Sequence, residues 1–182
     1  MVSDFPTDQT LVITTMRIAH LAEVLDLGHR VFDTAVKPYT GWSLSAAAAH
    51  IEATEPACFV ALISDRVYGF VLGSMTFEQR KDWGYLEWIA VDPAMRGRGV
   101  AGRLVEACRE RLISSGAAAI VTDVEASNTA SATLMERNGF SVKATVNLYV
   151  HAVRPDGAPD SAVHLTATRK NAALTQAERP VR

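Results

Sequence analysis

Long hydrophobic runs are missing from this sequence: no stretch of its 182 residues reaches the roughly 18 apolar positions that a membrane-spanning helix needs. Nor does the chain open on a basic segment followed by an apolar one, so no secretory leader is read there and a soluble, cytoplasmic protein is expected. Positive charge is not in excess either. Lys and Arg number 18 against 20 Asp and Glu, a formal net charge of -2, which leaves no overall field to draw the molecule onto nucleic acid or an anionic membrane. Arg66, Arg80 and Lys81 read as solvated turn residues, not as a basic track.

Cysteine is scarce. Cys58 falls in an apparent strand and Cys108 in an apparent helix, which reads as two buried thiols in a reducing compartment and excludes a disulfide framework. The histidines lack the compact spacing of metal ligands: His20 and His29 share the first helix at some distance, and His50, His151 and His164 are scattered over other elements. No metal is expected, and the histidines read as surface or edge residues.

What the chain does have is a 48% hydrophobic content in a length suited to one domain, here 1–182, with a core over 10–169 and a tail, "KNAALTQAERPVR", that lacks a buried face. "TLVITTM" at 10–16 suits a first strand, and the apolar spacing from Ile18 predicts a helix ending near Ala35. Ser43 is placed to cap an alanine-rich helix that must stop near Pro56. "CFVALISD", "VYGFVLGSMTF" and "WGYLEWIAV" predict a meander of three strands. Gly97 to Ser114 is the strongest helix, with Leu104, Val105, Cys108 and Leu112 as its buried stripe. "AAIVTDV" predicts another strand, Ser127 or Asn128 a cap for the helix that follows, and Asn138-Gly139 its end. "FSVKATVNLYVHAV" and "SAVHLTATR", on either side of "RPDGAPD", predict a terminal hairpin.

The segment "MRGRGVAG", between a strand and the longest helix, raises the chemical question. A helix start leaves backbone N–H groups without intrahelical acceptors and carries the positive end of the helix dipole, so strand, glycine-rich turn and helix together make an anion site. Gly97, Gly99 and Gly102 let the main chain approach a ligand, and Arg96 and Arg98 can neutralise phosphate charge at its edge. Neither common nucleotide fingerprint fits: the Walker Gly-Lys-Ser/Thr ending is absent, and no Gly-x-Gly-x-x-Gly opens the first strand-helix unit.

"IAVDPAMRGRGVAGRLV", followed by "VEASNTASATLMERNGF", resembles the acetyl-CoA-binding core of the Gcn5-related N-acetyltransferases (GNAT). Their Arg/Gln-x-x-Gly-x-Gly/Ala signature falls on Arg96, Gly99 and Ala101, and the second signature on Asn128, Ser131 or Ala132, Leu134 and Gly139-Phe140. The resemblance implies an α/β fold, with a mixed, mostly antiparallel sheet of about seven strands and helices on both faces. It implies acetyl-CoA as cofactor: main-chain groups along Ile89, Ala90 and Val91 for the pantetheine arm, Arg96, Gly97, Arg98, Gly99, Val100, Ala101 and Gly102 for the pyrophosphate, and Asn128 near the thiol. Met135 stands where the family often places a proton-donating tyrosine, and reads as a core or cofactor-packing residue.

Acetyl transfer to an amine needs a neutral nucleophile, a stabilised oxyanion and a proton for the departing thiolate. Tyr149, on the terminal hairpin, is the candidate acid. Glu87, beside the expected thioester, is the first choice of base. Asp123 competes, because "TDVEASN" resembles the corresponding run of the ribosomal-protein N-terminal acetyltransferases, and Glu125 lies two residues on along the same strand face. The acceptor is an amine, with Tyr39, Trp42, Glu87 and Tyr149 at its entrance; the terminal hairpin's resemblance to the peptide N-terminal enzymes tilts the reading toward a peptide or protein α-amine, against a small amine or antibiotic. A noncatalytic acyl-CoA-sensing module and a purely structural protein are the competing classes, and the chain is read as a monomer or a homodimer.

Overall fold

The computed structural model describes residues 10–32, 41–53, 55–147 and 149. The chain divides into two units, Met1–Phe32 with Trp42–Phe140 and Asp33–Gly41 with Ser141–Arg182, and all the regular elements described here belong to the first. Five strands form one sheet in chain order: β1 (Val12–Thr15), β2 (Phe59–Ile63), β3 (Arg66–Ser74), β4 (Trp83–Val91) and β5 (Ala119–Val121). The first three pairings are antiparallel and β4 with β5 is parallel. A parallel pair needs a crossover connection, and α3 (Val100–Ser114) supplies it.

Each face of the sheet carries its own core. On one, α1 (Leu21–Val31) and α2 (Leu44–Ile51) cover Val60, Val67, Phe70, Leu72 and Ala90, with Val24 and Leu27 fully buried at the contact. Burying such a side chain contributes about 1.5–3 kcal/mol. On the other, α3 lays Val100, Leu104, Val105, Cys108 and Leu112 over Ala61, Val71 and Leu86, the stripe expected from its apolar spacing. Helix α4 (Thr129–Arg137) adds Met135 to this second core. Both thiols are buried; desolvation pushes Cys58 up to about 11 and raises Cys108 further, so neither is a nucleophile near neutrality.

Several boundaries differ from the expectation, each for a local reason. The first helix opens on a single 3-10 turn at Ile18–His20 and stops at Val31, because Phe32 turns extended and puts its ring against Trp42 and Trp88, with centroids 5.1 and 5.0 Å away. Helix α3 begins at Val100 and not at Gly97, since Gly97 and Gly99 hold φ of 75° and 74°, outside the helical region. The expected strand through 140–153 does not form over residues 141–147, which are exposed, and its partner run 161–169 lies outside the described residues. The sheet of about seven strands expected from the resemblance is therefore one of five among the described residues. The cap at Ser43 is as expected, its hydroxyl accepting from the Ala46 N–H at 3.2 Å.

Trp42 is the keystone of the first core. Its ring stacks on Phe70 at 5.2 Å, and its Nε1–H donates to the Leu25 carbonyl at 2.9 Å. The ring lies against Gly28, where an added Cβ would come within 2.2 Å of it. Helix propensity alone favours Gly28→Ala by up to about 1 kcal/mol, but the clash costs about 1–3 kcal/mol, so the substitution is expected to destabilise. Urea unfolding followed by tryptophan fluorescence checks this, and an unchanged or raised midpoint would show that the indole can move aside.

Candidate active site

The site starts where the sheet comes apart. Strand β4 pairs with β5 at Trp83↔Ala119, Gly84↔Ile120 and Tyr85↔Val121, after which β5 ends and β4 runs on to Val91 with no strand beside that edge among the described residues. Its other edge is paired with β3 from Tyr85 to Val91, with one slip in register. The Asp92 N–H donates to Tyr68 O of β3 at 2.8 Å, so by the alternation of a strand the main-chain groups of Val91 and Ile89 are directed to the edge that β5 has left. These are the residues that the resemblance singles out for the pantetheine arm.

The pairing of β3 with β4 slips by one residue between Leu72↔Trp88 and Gly73↔Leu86, leaving Glu87 opposite no residue of β3. Such a bulge changes which face successive side chains take. Leu86 belongs to the α3 core, Trp88 packs against the α1/α2 core, and Glu87 meets His50 of α2, with His50 Nε2 3.2 Å from Glu87 Oε2. Glu87 and Trp88, though adjacent, thus lie on one side of the sheet. The His50 side chain is 12% exposed and that of Glu87 26%, so His50, expected at the surface or an edge, is largely covered.

A second carboxylate is held across the opening. The Tyr85 hydroxyl donates to Asp123 Oδ1 at 2.6 Å, joining the last paired residue of β4 to the segment after β5. Gly84 faces α3, where a Cβ would meet Leu112 at 3.0 Å, so its neighbour Tyr85 faces the α1/α2 side. Both carboxylates, Glu87 and Asp123, are therefore anchored from the same face of the sheet. Glu125 contributes its carbonyl, which accepts from the Asn128 N–H at 2.8 Å.

At the far end of β4 the turn into α3 has the form of an anion cradle. Gly97, Gly99 and Gly102 have open space where a side chain would stand, Arg96 and Arg98 are exposed, and the first intrahelical bond is Arg103 N–H to Gly99 O. The N–H groups of Val100, Ala101 and Gly102 precede that bond and lack helical acceptors. Asp92 anchors the approach: its carboxylate accepts from Ala94 N–H at 3.0 Å and from Arg30 Nη1 at 2.9 Å. Burial pushes its carboxyl up, but the Ala94 N–H and the Arg30 guanidinium outweigh that and hold it below its ordinary value.

Asn128 caps α4, its carboxamide oxygen accepting from Ser131 N–H at 3.1 Å. Met135 is 5% exposed within the second core, and Trp42 is buried in the first. Tyr149 is 89% exposed and belongs to the other unit, and Tyr39 lies outside the described residues. Sequence reading missed His50 and Tyr85. Tyr85 lay in the quoted strand with nothing to separate it from a packing aromatic, and His50 carried no spacing signal. Among the described residues no group of three or more His, Cys, Asp or Glu is placed to hold a metal ion, and no helix is long and apolar enough to cross a membrane.

This splayed sheet and glycine-rich turn coincide with a known family model. Residues 28–140 match the acetyltransferase (GNAT) family, and the chain belongs to it. It is 34% identical over 83 residues to N-alpha-acetyltransferase 30 of Schizosaccharomyces pombe, a match that covers 45% of this chain and 55% of that protein. The chain thus spans about half the length of the curated relatives it matches. Its fold is that of the aminoglycoside N-acetyltransferase AAC(6')-Iy in complex with CoA, with a TM-score of 0.66 and 24% identity over 80% of this chain and 97% of that one. The ribosomal-protein-S18-alanine N-acetyltransferase from Escherichia coli is similar too, with a TM-score of 0.64 and 23% identity over 82% and 88% of the two chains.

Because the Asp92 carboxyl is depressed on folding, its contribution to stability is present above the unfolded value and is lost as pH falls through the lower folded value. Asp92→Asn is therefore expected to lower the unfolding temperature at neutrality and to differ less and less from the native chain as the solution is acidified. Thermal unfolding across the acid range measures this; a gap that stays constant with pH would mean that Asp92 acts by shape alone.

Proposed function

We propose that this chain transfers an acetyl group from acetyl-CoA to the primary amine of a small, cationic molecule. The observation that carries the reading is the continuity of donors along one path, from the open edge of β4 at Ile89 and Val91 to the N-terminus of α3. That path fits an extended thioester arm ending in a pyrophosphate. Ile89 and Val91 would bond the arm through the main chain, and the N–H groups of residues 99–102, with Arg96 and Arg98, would hold the phosphates. Bound acetyl-CoA supplies an activated acyl carbon and a thiolate leaving group.

The chain's own part is to align and neutralise the amine. In this reading a carboxylate on the α1/α2 side, Glu87 or Asp123, takes the proton of the incoming ammonium, and the free nitrogen attacks the thioester carbon. The carbon–sulfur bond then breaks, and the sulfur takes up the proton that the nitrogen loses as the amide forms. Met135 has no part in that transfer, being apolar and buried in the second core.

Two carboxylates on the acceptor side favour an amine that carries further positive charge. The similarity to the aminoglycoside enzyme, which spans nearly the whole of that chain, supports the same class. A peptide α-amine is the second reading, favoured by the 34% identity to the yeast N-alpha-acetyltransferase, which covers 45% of this chain.

Thiol release from acetyl-CoA, measured over a panel of aminoglycosides, polyamines and short peptides with varied N-terminal residues, tests both readings. Turnover is expected on the polycationic amines; turnover on peptides alone would transfer the assignment to the second reading, and tight cofactor binding with no turnover would leave a sensing module. Gly99→Val, which forces a β-branched residue to φ of 74°, is expected to abolish acetyl-CoA binding by calorimetry. Unchanged affinity would remove the phosphate assignment.

A further inference from the structure

We infer that His50 is a positioning residue for Glu87, and that the imidazole fixes the carboxylate that serves the acceptor amine. The inference rests on the acetyl-transfer reading and names a role within the same site.

The backbone sets up the need for such a partner. Glu87 occupies the slipped position of β4, where the ladder to β3 offers no opposite residue, and a glutamate has three side-chain torsions to order. A carboxylate that must meet an amine at bonding distance gains from a second contact that removes this freedom. His50 supplies it at 3.2 Å, from the last turn of α2.

The histidine is itself held firmly. Helix α2 is capped at Ser43, Ala47 is fully buried against the first core, and the His50 carbonyl accepts from the Cys58 thiol at 3.6 Å. The ring is thus carried on a packed helix and not on a loop. The same bulge places Trp88, beside Glu87, in contact with the aromatic cluster of Trp42, Phe32 and Phe70, so strand and helix approach the carboxylate from one rigid core. Imidazole suits the task chemically. It can donate to the carboxylate whether neutral or charged, so the contact survives a proton arriving on either partner.

His50→Ala, His50→Gln and Glu87→Gln, with the double variant His50→Ala/Glu87→Gln, test the inference on the full chain with the best amine of the panel. His50→Ala is expected to lower kcat on the order of ten- to a hundredfold, the scale of a misplaced reacting group, with the calorimetric Kd for acetyl-CoA unchanged. His50→Gln, whose amide can still donate to the carboxylate, is expected to recover most of the rate. In the Glu87→Gln background the loss should vanish, because the histidine acts through the carboxylate. A loss that persists in that background, or a fall in unfolding temperature that His50→Gln does not restore along with the rate, would make His50 a packing residue and overturn the inference. Native kcat in both His50 variants would overturn it too, while leaving acetyl transfer intact. Absence of turnover by the native chain on every amine would remove the acetyl-transfer reading and this inference together.

Discussion

One constraint governs this molecule: β4 keeps its partner on one edge and loses it on the other. Three parallel pairs to β5 close the base of the sheet, and beyond Tyr85 one edge of the strand has backbone groups and no neighbouring strand among the described residues. Main-chain groups that lose water require partners, so such an edge is suited to pairing with a further extended backbone or ligand. The groups of the candidate site are placed relative to that opening. Helix α3 follows the glycine-rich turn past the end of β4, the Tyr85–Asp123 bond spans the point of divergence, and the Glu87 bulge falls just past it.

The two cores explain why the opening is rigid. The α3 face seals β4 from one side with Leu104, Cys108 and Leu112, and the α1/α2 face seals it from the other with an aromatic cluster centred on Trp42. Strand β5, only three residues long, adds Ile120 to the α3 core and nothing to the other. The Arg30–Asp92 pair ties α1 to the turn that leads into α3, so the two ends of the proposed ligand path share one scaffold. Carboxylates supported from a packed face keep their geometry without help from a mobile loop.

Elements with a strong periodic or capping signal were legible in the sequence. Strand β4 has the ends of its apolar run, α2 starts at the serine expected to cap it, and α4 starts at Asn128, one of the two residues expected to cap it. Three features were not legible. The bulge at Glu87 is hidden because the run "WGYLEWIAV" is apolar on both faces, so its alternation cannot show a one-residue slip. His50 and Tyr85 gained their roles only by tertiary placement, through partners distant in the chain. Trp42 went the other way: an aromatic near a loop reads equally well as an entrance or as core, and the glycine at 28 that admits its ring lies on a different element.

The bulge also separates two properties that a strand usually couples. At a paired position a substitution changes both what the side chain does and how well the ladder holds, because the cross-strand neighbour answers to it. Position 87 has no such neighbour on β3, so the identity of its side chain is released from the job of specifying register. The side chain at that point can therefore be exchanged for another without altering the cross-strand pairs that hold the sheet, so its chemistry and the fold are set separately.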